Sequence, residues 1–216
     1  MPDKVDEIFE SGCGYFYEGN TDSVDHLYTV PAVLRELKDG GKAKRVFDAG
    51  CGNGVVAAKL SKNGYEVAGV DASPTGIENA QQHYPHLRLE HGSLYDDLAA
   101  RFGRFPYVVC LEVVEHLFYP RTWAKTMFDL LEPGGWLIVS TPYHGYVKNL
   151  AMAVTGKLDR HFTALWDYGH IKFFSMKTLT ELLEEAGFRQ VRYRRLGRIP
   201  PLAKSMLAIA TRPEGS

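Results

Sequence analysis

Apolar and polar positions along this chain fall into two rhythms, short continuous apolar runs and a three-to-four-residue spacing, and the two take turns. Across residues 23–38, Val24, Leu27, Tyr28, Pro31, Leu34 and Leu37 recur at helical spacing, and Asp39-Gly40-Gly41 stops the segment. Residues 45–49 then read as a buried strand, 54–63 as a helix, 66–70 as a strand and 73–84 as a helix. The alternation continues with strands at 87–90 and 107–111, a helix over 121–131 and a strand at 136–140. Strands separated by helices predict a parallel sheet with helical crossovers. Ser175 is placed to N-cap a helix that closes at Ala186-Gly187. The last two strands, 188–196 and 205–210, are joined by Gly197-Arg198-Ile199-Pro200-Pro201, too short for a crossover, so they are predicted to run antiparallel. The expected fold is α/β, a doubly wound, mostly parallel seven-stranded sheet with a reversed last strand.

Residues 141–174 break the rhythm. They hold Tyr143, His144, Tyr146, His161, Phe162, Trp166, Tyr168 and His170 without a clean period. Such a stretch after a strand reads equally as a substrate lid and as a small helical insertion packing its own aromatics. With 216 residues, 45% hydrophobic, the chain can fill one core, and a single domain over 1–216 is expected, with 1–40 as a helical cap and 141–174 as the inserted lid. A formal net charge of -1 argues against nucleic acid as a partner. Cys13, Cys51 and Cys110 form no CxxC pair and no disulfide framework. An acidic N-terminus and the lack of any apolar run near the roughly 18 residues of a membrane span predict a cytoplasmic chain. The sequence carries no signal for an oligomeric state.

The strongest chemical signal is Val46-Phe47-Asp48-Ala49-Gly50-Cys51-Gly52-Asn53-Gly54, a strand entering a glycine-rich turn and then a helix. Glycines let backbone approach a ligand closely. A dinucleotide site wants G-x-G-x-x-G facing a pyrophosphate; here the third glycine comes one position early, and Asp48 would repel phosphate. A ligand with a sulfonium and an ammonium reverses that sign. Asp71, ending Ala68-Gly69-Val70-Asp71 ahead of Ala72-Ser73, stands where an α/β nucleotide site places a carboxylate on ribose hydroxyls.

On these residues the chain resembles the class I S-adenosylmethionine-dependent methyltransferases, from about Arg45 onward. The resemblance implies a Rossmann-like methyltransferase fold and S-adenosyl-L-methionine as cofactor. It implies a cofactor site of Asp48, Gly50, Cys51, Gly52, Asn53, Gly54, Asp71, Ala72, Ser73, Gly92, Ser93, Leu94, Leu111 and Glu112. His91-Gly92-Ser93-Leu94 occupies the segment after strand three where relatives meet adenine, with Ser93 in place of the commoner aspartate. Leu131 to Leu137 looks like the family's structural turn into strand five. Cys110-Leu111-Glu112-Val113-Val114-Glu115-His116-Leu117 is similar to the E-x-x-E-H stretch of two groups, the ubiquinone-biosynthesis O-methyltransferases and the methyltransferases of the terminal 2'-hydroxyl of small RNAs. In both, these residues are associated with a divalent metal. Gly169-His170-Ile171-Lys172-Phe173 is similar to the segment supplying a distal histidine ligand in the RNA group. Glu112, Glu115, His116 and His170 are thus the implied metal ligands, a mixed set suited to magnesium, manganese, iron or zinc. Glu112 and Glu115 or His116 would share a face if a helical turn starts at residue 112.

Without metal, His116 is a candidate base, with Glu115 and His144 as further catalytic candidates. Purely structural roles for these side chains stay open beside these. Methyl transfer needs mainly alignment, and hydroxyl acceptors gain most from a base or metal, so this investment in acids and histidines favours oxygen. The expectation is O-methylation of a small phenolic or quinone-like molecule. RNA 2'-O-methylation, N-methylation of a small amine and cofactor binding without turnover remain as alternatives. Arg189, Arg192, Arg194, Arg195, Arg198 and Lys204, with no acid between them, read as the solvated face of an edge hairpin or as a peripheral contact for an anionic partner or membrane surface.

Overall fold

The computed structural model describes residues 17, 19, 22–162 and 164–215. Most of residues 1–21 in the expected N-terminal cap, Cys13 among them, lie outside the described residues.

The elements alternate as the pattern predicts. They are α1 (His26–Gly40), β1 (Arg45–Ala49), α2 (Val55–Lys62), β2 (Glu66–Asp71), α3 (Pro74–His83), β3 (Arg88–His91), α4 (Leu98–Phe102) and β4 (Phe105–Leu111), then α5 (Pro120–Leu130), β5 (Leu131–Pro142), α6 (Tyr146–Val154), α7 (Leu158–Phe162), α8 (Met176–Glu185), β6 (Arg189–Leu196) and β7 (Ser205–Thr211). The seven strands form one sheet in the order β3-β2-β1-β4-β5-β7-β6. All pairs among β1 to β5 are parallel, and β7 runs antiparallel to both β5 and β6, as expected.

Strand residues point alternately to two faces, so the sheet needs two covering layers. Phe47, Val108, Cys110 and Ala208 pack toward Trp123, Met127 and Leu130 of α5 and Leu179, Leu182 and Leu183 of α8, with Leu98 and Phe102 of α4. Their neighbours in sequence, Val46, Tyr107, Val109 and Leu207, pack on the opposite side against Val30, Val33 and Leu37 of α1, Leu60 of α2 and Ile77 of α3. This is the doubly wound arrangement. Full burial of large side chains such as Trp123, Tyr107 and Phe47 stabilises by about 1.5–3 kcal/mol each.

Besides α6 and α7 in the stretch without a period, α4 and the start of β5 escape the pattern. α4 has only five residues, too few for a period to show, and is set by Asp97, whose Oδ1 accepts from the Ala100 amide at 3.0 Å. β5 starts at Leu131, five residues before the predicted strand, because Pro133-Gly134-Gly135 reads as a turn; its pairing with β4 shifts register between Phe105 and Tyr107. Ser175 caps α8 as predicted, accepting from the Thr178 amide at 3.2 Å while Thr178 Oγ1 accepts from the Ser175 amide at 3.0 Å.

The basic strip is divided. Arg192 and Arg194 both pair with Glu36 of α1, which is 1% exposed, and Arg192 also lies 5.1 Å over the Trp136 ring. Those two guanidiniums fasten β6 to α1, whereas Arg198 reaches the cavity described below. Among the described residues no helix is long and apolar enough to cross a membrane.

Candidate functional site

A cavity of about 1000 Å³ opens over the C-terminal ends of β1, β2, β4 and β5. That edge is where an α/β sheet collects ligands, because its loops and helix N-termini converge there. The β1–α2 turn forms one wall. Gly50 and Cys51 amides donate to the Val70 carbonyl at 2.9 and 3.0 Å, tying the turn to the end of β2. Gly52 has φ 52°, a left-handed conformation that favours glycine, and a Cβ there would crowd the Tyr17 hydroxyl.

Two acids back this turn. Asp71 accepts from the Gly52 amide (Oδ2, 2.8 Å) and the Ser73 amide (Oδ1, 2.8 Å). Burial still raises its carboxyl above the usual value against those two amides and the nearby His91. Each oxygen keeps acceptor capacity beyond its one amide. Asp48 is 2% exposed, with Oδ2 unpartnered among the described residues. Burial and, second, the Asp71 charge push its carboxyl up to about 7. Two buried acids facing one cavity, one of them with an unpartnered oxygen, form a site suited to positive charge.

After β4 the chain does not start a helix at residue 112. Glu112 adopts φ 53°, a left-handed conformation that costs a non-glycine residue energy, and only Val114–His116 forms a single 3-10 turn. Glu112 nevertheless lies against the Glu115 carboxyl. Its Oε1 accepts from Ser140 Oγ at 2.7 Å, and burial pushes its carboxyl up to about 7. The helical turn expected to carry Glu112 with Glu115 and His116 does not form, because the backbone reverses at residue 112, yet the two carboxyls still meet.

The remaining three expected ligands do meet. One donor atom each from Glu115, His116 and His170 lies within 4.8 Å of the others. The Glu115 carbonyl accepts from the amides of Ile171 and Lys172, both at 2.9 Å, and so draws the distant segment in. The His116 and His170 rings stand 4.8 Å apart, and Trp166 flanks both at 5.9 and 5.3 Å. Both Glu115 carboxylate oxygens are buried without a hydrogen-bond partner among the described residues. Burial and the Glu112 carboxyl raise the Glu115 carboxyl well above its usual range. Burial holds His116 below its ordinary value, and burial with the neighbouring His116 lowers His170 to about 4. Two neutral imidazoles beside an unsatisfied buried carboxyl are a donor set that fits a divalent cation. His116 Nδ1 donates to the Tyr168 carbonyl at 3.0 Å, which leaves Nε2 as the proton-accepting nitrogen.

Of the residues expected at the cofactor, Asp48, Gly50, Cys51, Gly52, Asn53, Asp71, Ala72, Leu94, Leu111 and Glu112 line the cavity, as do His116 and His170. Gly54, Ser73, Gly92 and Ser93 do not appear in its wall. A Cβ at Gly54 would stand 2.9 Å from Leu89, and Ser73 Oγ caps α3 by accepting from the Gly76 amide at 3.2 Å. The Gly92 amide donates to the Asp71 carbonyl at 3.1 Å, and Ser93 Oγ accepts from the Tyr95 amide at 3.1 Å. His144, 7% exposed, sits away from the wall among the rings of His161, Phe162 and Phe173. Burial, then His161 and Lys148, lower it to about 4. Residues 141–174 contribute α6, α7 and the walls at Pro142, Lys148, Met152, His161, Trp166, Tyr168 and His170. Lys148, Asp25, Tyr28 and Ser205 also line the cavity and carry no motif, so only their convergence in space identifies them.

Ubiquinone biosynthesis O-methyltransferase of Dinoroseobacter shibae is 32% identical over 166 residues, 73% of this chain and 65% of that protein. Its counterpart in Psychrobacter arcticus is 28% identical over 82% of this chain and 66% of its own length. The chain thus spans slightly less than two thirds of these curated relatives. Among solved structures, magnesium protoporphyrin IX methyltransferase from Synechocystis superposes with a TM-score of 0.67 at 19% identity, over 97% of this chain and 94% of that one. The methyltransferase domain of bacterial CtHen1 gives a TM-score of 0.66 at 23% identity, over 88% of this chain and all of that one. Both share the Rossmann-like fold. The profile described as "Methyltransferase domain" matches residues 25–193, most of the sheet and the whole β1–α2 turn, and the chain belongs to that family.

Proposed function

We propose that this protein transfers the methyl group of S-adenosyl-L-methionine to a hydroxyl oxygen of a small phenolic or quinone-like molecule. The observation that carries the reading is one cavity with Asp48 and Asp71 at one wall and His116 and His170 at another. The names of the curated relatives support an oxygen acceptor. In this reading 1–216 work as a single methyltransferase domain, with 1–40 capping the cofactor side and 141–174 closing over the acceptor.

The turn of Gly50 to Gly54 holds the amino-acid end of the cofactor, and the buried Asp48 carboxyl ionises as that ammonium arrives. Asp71 directs its remaining lone pairs to the ribose. The acceptor lies between the cofactor and His116. Its oxygen forms a bond to the methyl carbon as the carbon–sulfur bond breaks, the electron pair stays on sulfur, and the hydroxyl proton passes to His116 Nε2. Alternatively, Glu115, His116 and His170 would hold a divalent cation, which when bound occupies His116 Nε2 and takes the place of that base by lowering the pKa of a hydroxyl. Trp166, Tyr168 and Met152 supply the flat, apolar contact for a ring.

The test is transfer of labelled methyl from S-adenosyl-L-methionine to catechols, amines and short RNAs, with and without a chelator. Transfer to catechols, lowered by about 100-fold or more in His116→Ala, is the expected result. Transfer to amines or RNA in preference would overturn it.

A further inference from the structure

The cavity wall carries both signs of charge: beyond the acids of the β1–α2 turn it holds Asp25 and Glu112, and beside these, three cations. Opposite the acids of the β1–α2 turn, α6 and the β6–β7 connection bring Lys148, Arg198 and Lys204 into one corner. Lys148 is 8% exposed, and its Nζ donates to two backbone carbonyls, Tyr143 at 2.9 Å and Lys204 at 3.4 Å. That accounts for two of its three donors. Among the described residues no carboxylate lies within 4.0 Å of any of these three cations, although ten ion pairs form among those residues. Burial and then the Arg198 charge lower the Lys148 ammonium to about 8; Glu112, the acid that acts on it, pulls the other way and more weakly. A buried ammonium without a counter-ion, beside a guanidinium, is costly unless a ligand supplies the negative charge.

Resting on the methyl-transfer reading above, we propose that this corner binds an oxyanion group, carboxylate or phosphate, on the methyl acceptor, so that the acceptor is a small hydroxylated acid. Arg198 presents a fork matched to two oxygens, and Lys148 supplies a point charge from the cavity wall. Anchored there, the acid's ring extends past Met152 and His161 toward His116. Cofactor and acceptor are thereby sorted by sign, the cation to the acids of the turn and the anion to the three cations of the corner.

The experiment is calorimetric titration of the intact chain, with and without S-adenosylhomocysteine, by dihydroxybenzoate, its uncharged methyl ester, catechol monophosphate and a short RNA. Dihydroxybenzoate or catechol monophosphate is expected to bind at least about tenfold more tightly than the ester, and the tighter of the two identifies the oxyanion. Arg198→Gln, at an exposed position, is expected to bring that preference down about tenfold. Lys148→Met is the second variant, with circular dichroism confirming its fold. Equal binding of ester and acid, a preference that survives Arg198→Gln, or tighter binding of RNA than of either acid overturns the proposal. Failure of S-adenosylhomocysteine to bind while the acid still binds overturns the cofactor reading instead, and the titration without it decides the corner on its own.

Discussion

The β1–α2 turn and the 141–174 segment face each other across one cavity and hold their groups by different means. In the turn, backbone does the work. Gly50, Cys51 and Gly52 amides are bonded to Val70 and Asp71, and the positive φ at 52 favours glycine. In the inserted segment, side chains do it: His144 is held by rings, Lys148 by its ammonium, and Leu165, Tyr146 and Val154 stay 99%, 83% and 79% exposed. A ligand of constant shape suits a backbone mould. An acceptor that differs between relatives suits a wall that can be rewritten without touching the sheet.

Four measurements sharpen or break that contrast. The largest effect is expected from Asp71→Ala, which removes the acceptor for two buried amides at 2.8 Å. The Kd of S-adenosylhomocysteine should rise by about 100-fold or more by calorimetry, since charge-assisted bonds and orphaned amides are both lost. An unchanged Kd would show that the turn does not depend on its backing acid.

Next is the pH dependence at Asp48, raised from 3.8 to about 7. The free protein holds its proton below that value and the bound cation expels it, so affinity for S-adenosyl-L-methionine should fall by about tenfold per pH unit below 7. Stability of the free protein carries the opposite sign: Asp48 contributes most at low pH, and that contribution is lost as pH rises through about 7. Asp48→Asn is expected to flatten both profiles.

Third comes the scaffold that neither wall uses. Glu36→Gln should cost about 1–2 kcal/mol in urea unfolding, discounted because Arg192 and Arg194 remain 45% and 40% exposed. Burial alone would raise the Glu36 carboxyl, but the two guanidiniums hold it below its ordinary 4.5. Its contribution is therefore complete above 4.5 and is lost as pH falls below that. Cofactor affinity should stay put. A changed affinity would mean that the two walls are coupled through α1.

The smallest effect belongs to His144, lowered from 6.5 to about 4 by burial and the nearby His161 and Lys148. The unfolded segment takes up its proton first, so stability should fall as pH drops from 6.5 toward 4, by roughly 1 kcal/mol over the first unit. Hydrogen exchange across residues 144–173 should accelerate there while the β1–α2 turn does not. Exchange that rises equally in both regions would erase the distinction.

What could be read in the chain follows the same division. Runs and spacings announced the sheet, both helical layers and the reversed β7, because burying one face of each element is a local demand written residue by residue. Asp48, the glycines and Asp71 were legible because a tight turn between strand and helix restricts which residues can stand there. The E-x-x-E-H stretch was legible as letters but misleading as a helix, since the positive φ of Glu112 is set by its hydrogen bonds to Ser140, 28 positions away. The meeting of Glu115 and His116 with His170 was implied by resemblance and not by any local pattern, and that of Lys148 with Arg198 was decided only by the tertiary structure. Those pairs join segments about fifty residues apart, through carbonyls and a cavity that no local pattern encodes.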